Sequence, residues 1–182
     1  MLLYTLGHSN HPSDKFTQLL AAHGIQLVVD VRSTPFSRFN PQFNRANLQA
    51  NLTEHGIAYT YLGDALGGRP KDPSVYIHHS IPKESKDYWR EIDYRVVMRQ
   101  PWFIQGIHQL LDLAEQQVTT VLCSEEDPAR CHRQHLVARY LLDTYPEVTI
   151  LHIRKDGSTL DARSIVDTTE ASGPKQLPLI HT

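Results

Sequence analysis

Residues 25–31 read IQLVVDV. Five of the seven are apolar and three are valine, so the run is too short for an ordinary helix and too uniformly apolar for a strand with one wet face. It predicts a strand covered on both sides, as found in parallel sheets packed between helices. One residue breaks the pattern. Asp30 places a carboxylate in that run, and burying it requires a partner.

The flanking sequence fits the same reading. Upstream, Phe16, Leu19 and Leu20 recur at helical spacing, which predicts a helix over residues 14–23 with Ser13 as its cap. Before it, LLYTLG at residues 2–7 predicts a first strand. Downstream, a proline-rich loop (RSTPFSRFNPQFN, residues 32–44) precedes an expected helix over residues 45–54 and a strand over residues 57–62. The glycines and prolines of GDALGGRPKDPS (residues 63–74) predict a loop without regular structure. A helix is expected over residues 87–95, and Pro101 can open another that runs to Gln117. VTTVLC (residues 118–123) predicts a strand, residues 130–144 a helix and VTILHI (residues 148–153) a last strand. Strand and helix thus alternate. The expected fold class is α/β: a three-layer, Rossmann-like arrangement of a mostly parallel central sheet with helices on both faces. Residues 1–158 are expected to form one domain and residues 159–182 a polar C-terminal tail.

Composition narrows the function. The chain has 182 residues, 40% hydrophobic and 21% charged, with a net charge of −2. A pI of about 6.6 argues against binding nucleic acid through bulk charge, though a local basic cleft fits it. No apolar stretch approaches membrane-span length and the N-terminal residues lack a signal-peptide pattern, so no membrane partner and a cytoplasmic location are expected. The two cysteines, Cys123 and Cys131, are then expected as thiols rather than a disulfide. Nothing in the sequence sets an oligomeric state.

In parallel sheets ligands bind beyond the carboxyl ends of the strands. Those ends carry His8 and Ser9; Asp30, Arg32, Ser33 and Arg38; Gly67, Gly68 and Arg69; and Cys123, Glu125, Cys131, His132 and Arg133. The stretches GHSN (residues 7–10), DVRSTPFSR (residues 30–38), ALGGRP (residues 65–70) and CSEEDPARCHR (residues 123–133) together resemble the signatures of a bacterial and archaeal family known as domain of unknown function 488, DUF488. The resemblance covers residues 1–153. It implies an α/β fold and a site at this edge, and carries no reaction.

The residues themselves suggest chemistry. Arginine forks at one edge suit phosphate or carboxylate, and glycines admit a ligand close to the backbone. The expected ligand is a small anionic or nucleotide-like molecule, or nucleic acid. The expected binding residues are His8, Ser9, Arg32, Ser33, Arg38, Gly67, Gly68, Arg69, Cys123 and Arg133. Asp30, Glu125 and His132 are the expected catalytic groups, in an enzyme acting on a nucleotide or nucleic acid, such as a hydrolase of glycosidic bonds. The alternatives are a non-catalytic binding module and a cysteine- or metal-centred enzyme. The cysteine phosphatase pattern is a poor match, since six residues rather than five separate Cys123 from Arg130 and three of them are acids. Neither a metal nor a cofactor is expected: Cys131 and His132 are adjacent, seven residues separate the cysteines, and no second close ligand pair exists. Asp127 and Pro128 read as a helix start.

Overall fold

A computed structural model of the chain describes residues 1–83 and 88–165. The elements run β1 (Leu2–Gly7), α1 (Ser13–Ala22), β2 (Leu27–Asp30), α2 (Arg45–Glu54), β3 (Ala58–Tyr61), α3 (Gly63–Leu66), α4 (Tyr88–Glu91), α5 (Tyr94–Val97), α6 (Pro101–Gln116), β4 (Thr119–Cys123), α7 (Arg139–Thr144), β5 (Thr149–Ile153) and β6 (Thr159–Asp161). The strands form one six-stranded sheet in the order β3-β2-β4-β1-β5-β6, parallel except at β6. The fold is α/β with a mostly parallel sheet.

The opening stretch lies where its composition requires. β2 runs between β3 and β4, and all four of its residues are buried. Side chains leave a strand alternately, so Leu27 and Val29 join the core on one face while Val28 joins that on the other. The first core also takes Phe103, Ile107 and Leu110 of α6 and Leu141 of α7. The second takes Phe16, Leu19 and Leu20 of α1 and Leu48 and Leu52 of α2. Each fully buried leucine or phenylalanine contributes about 1.5–3 kcal/mol, so the two covering layers hold the sheet edge rigidly. The chain leaves β1 toward the second face and β4 toward the first, and their ends therefore flank a crevice.

The differences from expectation have local causes. Ser13 begins α1 rather than capping it: Pro12 occupies the cap position and no side chain caps the helix. Within residues 63–74 an α-helical turn forms over Gly63–Leu66, because Leu66 is drawn into the core against Gly106 of α6, and a 3-10 turn over Pro73–Val75 begins, capped by Asp72. The helix expected over residues 87–95 is two short turns, α4 and α5, with Asp93 capping the second through Arg95 N; Asp87 lies outside the described residues. The helix expected over residues 130–144 is broken into a 3-10 turn over Pro128–Arg130, a π-helix over Arg133–Ala138 and then α7. All six π-helical residues are buried, and the wider turn lets Arg133, Gln134 and His135 point inward with their apolar neighbours. Thr159–Asp161, expected to open the tail, form β6, which pairs antiparallel with β5, and Gln134 donates to Ala162 O. Residues 166–182 lie outside the described residues. Among the described residues, no helix is long and apolar enough to cross a membrane.

Candidate functional site

The chain leaves β2 after Asp30, whose fully buried carboxylate is enclosed by donors. Arg32 supplies Nε to Oδ1 at 2.8 Å, Nη2 to Oδ2 at 2.6 Å and its backbone N–H to Oδ1 at 3.0 Å. The Tyr59 hydroxyl donates to Oδ2 at 2.9 Å, and burial followed by the Asp30 charge raises that phenol's pKa far above its usual range. The remaining Arg32 nitrogen donates to Phe43 O at 2.8 Å and to His8 Nε2 at 3.1 Å. His8 donates from Nδ1 to Ser9 O and stacks on Phe43, and burial with the Arg32 charge lowers its pKa to about 4. His8 is therefore a neutral acceptor near pH 7. The carboxylate of this bidentate pair has its acceptor positions filled, and four of the five guanidinium N–H groups are engaged.

After β4 the chain enters the loop LCSEEDPARCHR (residues 122–133). Each of its three acids has its own position. Asp127 accepts from Ala129 N at 3.1 Å and starts the 3-10 turn, as expected for an Asp-Pro start. Glu126 pairs with Arg154 at 3.0 Å. Glu125 turns toward the thiols, with Oε2 3.3 Å from Cys123 Sγ and 3.7 Å from Cys131 Sγ. The 3-10 turn reverses the chain and returns Cys131 to Cys123, with the sulfurs 3.1 Å apart. Both cysteines are free thiols. His132 donates from Nε2 to Val31 O at 3.2 Å, which leaves Nδ1 as an acceptor 3.5 Å from Cys123 Sγ and 3.9 Å from Cys131 Sγ. Burial raises both thiols. At Cys131 the neighbouring Cys123, Arg133 and His132 outweigh it and hold the thiol well below its ordinary value; Cys123 is pushed well above.

Over this cluster opens a cleft of about 690 Å³, lined by the loops after β2 and β4, by Gly68 and Arg69, and by Tyr94. Arg32, Ser33, Gly68, Arg69, Cys123, Glu125 and His132 line it; His8, Ser9, Asp30, Arg38, Gly67 and Arg133 do not. Arg133 is fully buried and spends its guanidinium on the carbonyls of Glu125 and Glu126, which shapes the loop from beneath. Arg38 is exposed and covers the Phe39 ring. Ser9 donates its N–H to Ser124 O, and the Ser33 hydroxyl accepts from Arg69 N at 2.8 Å, so both fasten loops. Gly67 packs against Gly63 O and Ser33, and Gly68 is needed at the cluster itself, where a Cβ would stand 2.6 Å from His132 Nδ1. Arg130, Phe36 and Tyr94 belong to the lining and were not among the expected site residues. Arg130 was legible only as a cation in the loop, and Phe36 as an aromatic in a proline-rich segment.

The family described as "Domain of unknown function DUF488" matches residues 12–141. The chain belongs to this family. The matched residues of this DUF488 protein include β2, β3 and β4, the Arg69 loop and the whole Cys123–Arg133 loop, so the match spans the residues that line the cleft and three of the six strands. Comparison with curated proteins and with solved structures gave no match.

Proposed function

We propose that this DUF488 protein is an enzyme whose cleft takes a nucleotide-like anion, as a free nucleotide or as the end of a nucleic-acid strand. One observation carries the reading. Arg69, Arg130, Glu125 and the 69% exposed ring of Phe36 share one cleft at the carboxyl ends of parallel strands. Its volume of about 690 Å³ is within the range of small-ligand sites, about 300–1,000 Å³. Guanidinium groups suit phosphate, an exposed ring suits a base, and a carboxylate in the same cleft can move a proton. Glu125 takes the catalytic role because Asp30 is fully engaged by Arg32 and Tyr59. The reaction class is hydrolytic: Glu125 activates water, or stabilises the positive charge left on a sugar when a base departs. Nucleosides, nucleotides and short single strands, screened first for binding and then for turnover, test the reading. Glu125→Gln is expected to abolish turnover while retaining binding, and Arg130→Ala to weaken binding of phosphate-bearing ligands. Binding without turnover in the parent chain assigns a non-catalytic binding module instead. Absence of binding by every nucleotide and strand refutes the cleft assignment.

A further inference from the structure

We propose that Cys123, Cys131 and His132, with the Glu125 carboxylate beside the two sulfurs, hold one thiophilic divalent metal ion of the zinc class. Sequence spacing argued against a metal, and the folded loop reverses that argument. The ligating atoms of Cys123, Cys131 and His132 all lie within 4.8 Å of one another. A tetrahedral ion with metal–sulfur bonds of about 2.3 Å and metal–nitrogen or metal–oxygen bonds of about 2.0–2.1 Å separates its ligand atoms by about 3.5–3.8 Å. The two sulfur–nitrogen distances, 3.5 and 3.9 Å, bracket that spacing, while the sulfurs at 3.1 Å stand closer than it and would part as the ion enters; Glu125 Oε2 lies 3.3 and 3.7 Å from them.

The surroundings match a ligand shell. His132 gives its far nitrogen's proton to the Val31 carbonyl, the usual device for fixing the tautomer and aim of a metal-bound imidazole. Arg133 N–H points to Cys131 Sγ at 3.5 Å, as a donor to a thiolate would. The Arg133 guanidinium is fully buried, donates to carbonyls only and leaves Nε without a partner. It has no carboxylate ion pair among the described residues, so a negative cluster must balance it. A dication, two thiolates, the Glu125 carboxylate and Arg133 sum to zero charge. The Tyr94 hydroxyl is sealed from solvent and unpartnered among the described residues, and it is near enough to feel the charges of Cys131, Cys123 and Glu125. Ligation displaces the thiol protons to solvent. The three ligands are buried and Glu125 beside them is exposed to the cleft, so the fourth position of the ion faces water or substrate. The ion would sit in the cleft of the proposed function, but its presence can be read without any substrate.

Cobalt(II) alone, titrated into the reduced, metal-free full chain, tests the site. One equivalent is expected to produce thiolate-to-cobalt charge-transfer absorption and the intense visible bands of tetrahedral coordination. Zinc should bleach both and magnesium neither. Cys123→Ser and Cys131→Ser should each lose the charge-transfer band. Should those variants fail to fold, thiol alkylation of the parent chain decides: zinc is expected to slow modification of both cysteines at least tenfold. A featureless spectrum with cobalt in excess, or alkylation rates indifferent to zinc, overturns the proposal. Nucleotide binding that survives such a result leaves the proposed function standing alone.

Discussion

Replacing Arg32 by alanine separates a structural arginine from a ligand-binding one. The substitution removes two donors to Asp30, at 2.8 and 2.6 Å, and those to Phe43 O and His8 Nε2. It leaves a fully buried carboxylate with only the residue-32 backbone N–H and the Tyr59 hydroxyl. Breaking a buried ion pair from one side costs about 3–5 kcal/mol, because the charge left behind is neither hydrated nor paired. Whole-domain stabilities are about 5–15 kcal/mol, so about a fifth or more of the total is at stake. For a chain of this size each kcal/mol moves Tm by about 2–4 °C, which gives an expected fall of about 6–20 °C. The assay is denaturant unfolding at neutral pH, with calorimetry as a second reading. Asp30→Asn combined with Arg32→Ala should recover part of the loss, because no buried charge then remains. Arg32→Lys should not restore the parent, since an ammonium cannot span both carboxylate oxygens and Phe43 O. An unchanged midpoint together with lost anion binding refutes the reasoning and returns Arg32 to the ligand.

Two further outcomes are expected. Burial, with Arg32 beside His8 and Arg133 near His152, depresses these histidines to about 4 and about 3, so the unfolded chain takes up protons below about pH 6.5 that the folded chain refuses. Stability should therefore fall as pH drops through that window, by about 1.4 kcal/mol per pH unit for each histidine; unfolding midpoints that stay flat down to about pH 4.5 would contradict it. Gly68→Ala places a methyl group 2.6 Å from His132 Nδ1 and is expected to cost about 1–3 kcal/mol by overpacking; a variant as stable as the parent would show that the loop yields without disturbing the imidazole.

The fold was legible because its strands are short, apolar and separated by amphipathic or proline-opened helices. Residues 25–31 alone implied a doubly covered sheet, and the observed β2 is buried throughout. Boundaries failed where tertiary packing overrode local signals. The π-helix could not be read, since residues 130–144 carry an ordinary helical spacing and only the inward turn of Arg133, Gln134 and His135 widens it. The edge of the sheet where the cleft opens was legible for a related reason: parallel strands end together, so polar residues after each strand meet. Which arginine faces the cleft was not legible. Arg32, Arg133 and Arg130 look alike in sequence; Arg32 and Arg130 both line the cleft, but hydrogen bonding ties Arg32 to Asp30, and Arg133 is held away from the cleft by two carbonyls. The meeting of the cysteines was hidden because linear spacing of seven residues says nothing about a reversal through a 3-10 turn.

The buried charges explain why that reversal is held in place. A loop carrying three acids next to two thiols would otherwise open into water, where each charge is better solvated. Arg133 prevents this by donating from below to the carbonyls of Glu125 and Glu126, and Arg154 holds Glu126 from the side. On the neighbouring strand, the Asp30–Arg32 unit fixes the exit of β2, and His132 is anchored to Val31 O directly after it. A further buried chain, from Thr5 through His152 to Gln134 and Ala162 O, ties β1 and β5 to the π-helix that follows His132. Each polar group in these chains gives up hydration and is repaid only if its partners stay in register, so the strand ends become mutually dependent. The outcome is a division of labour among similar residues. The most buried charged side chains shape the loops, and the less buried Glu125 and Arg130 are left facing the cleft, where chemistry and ligand can reach them.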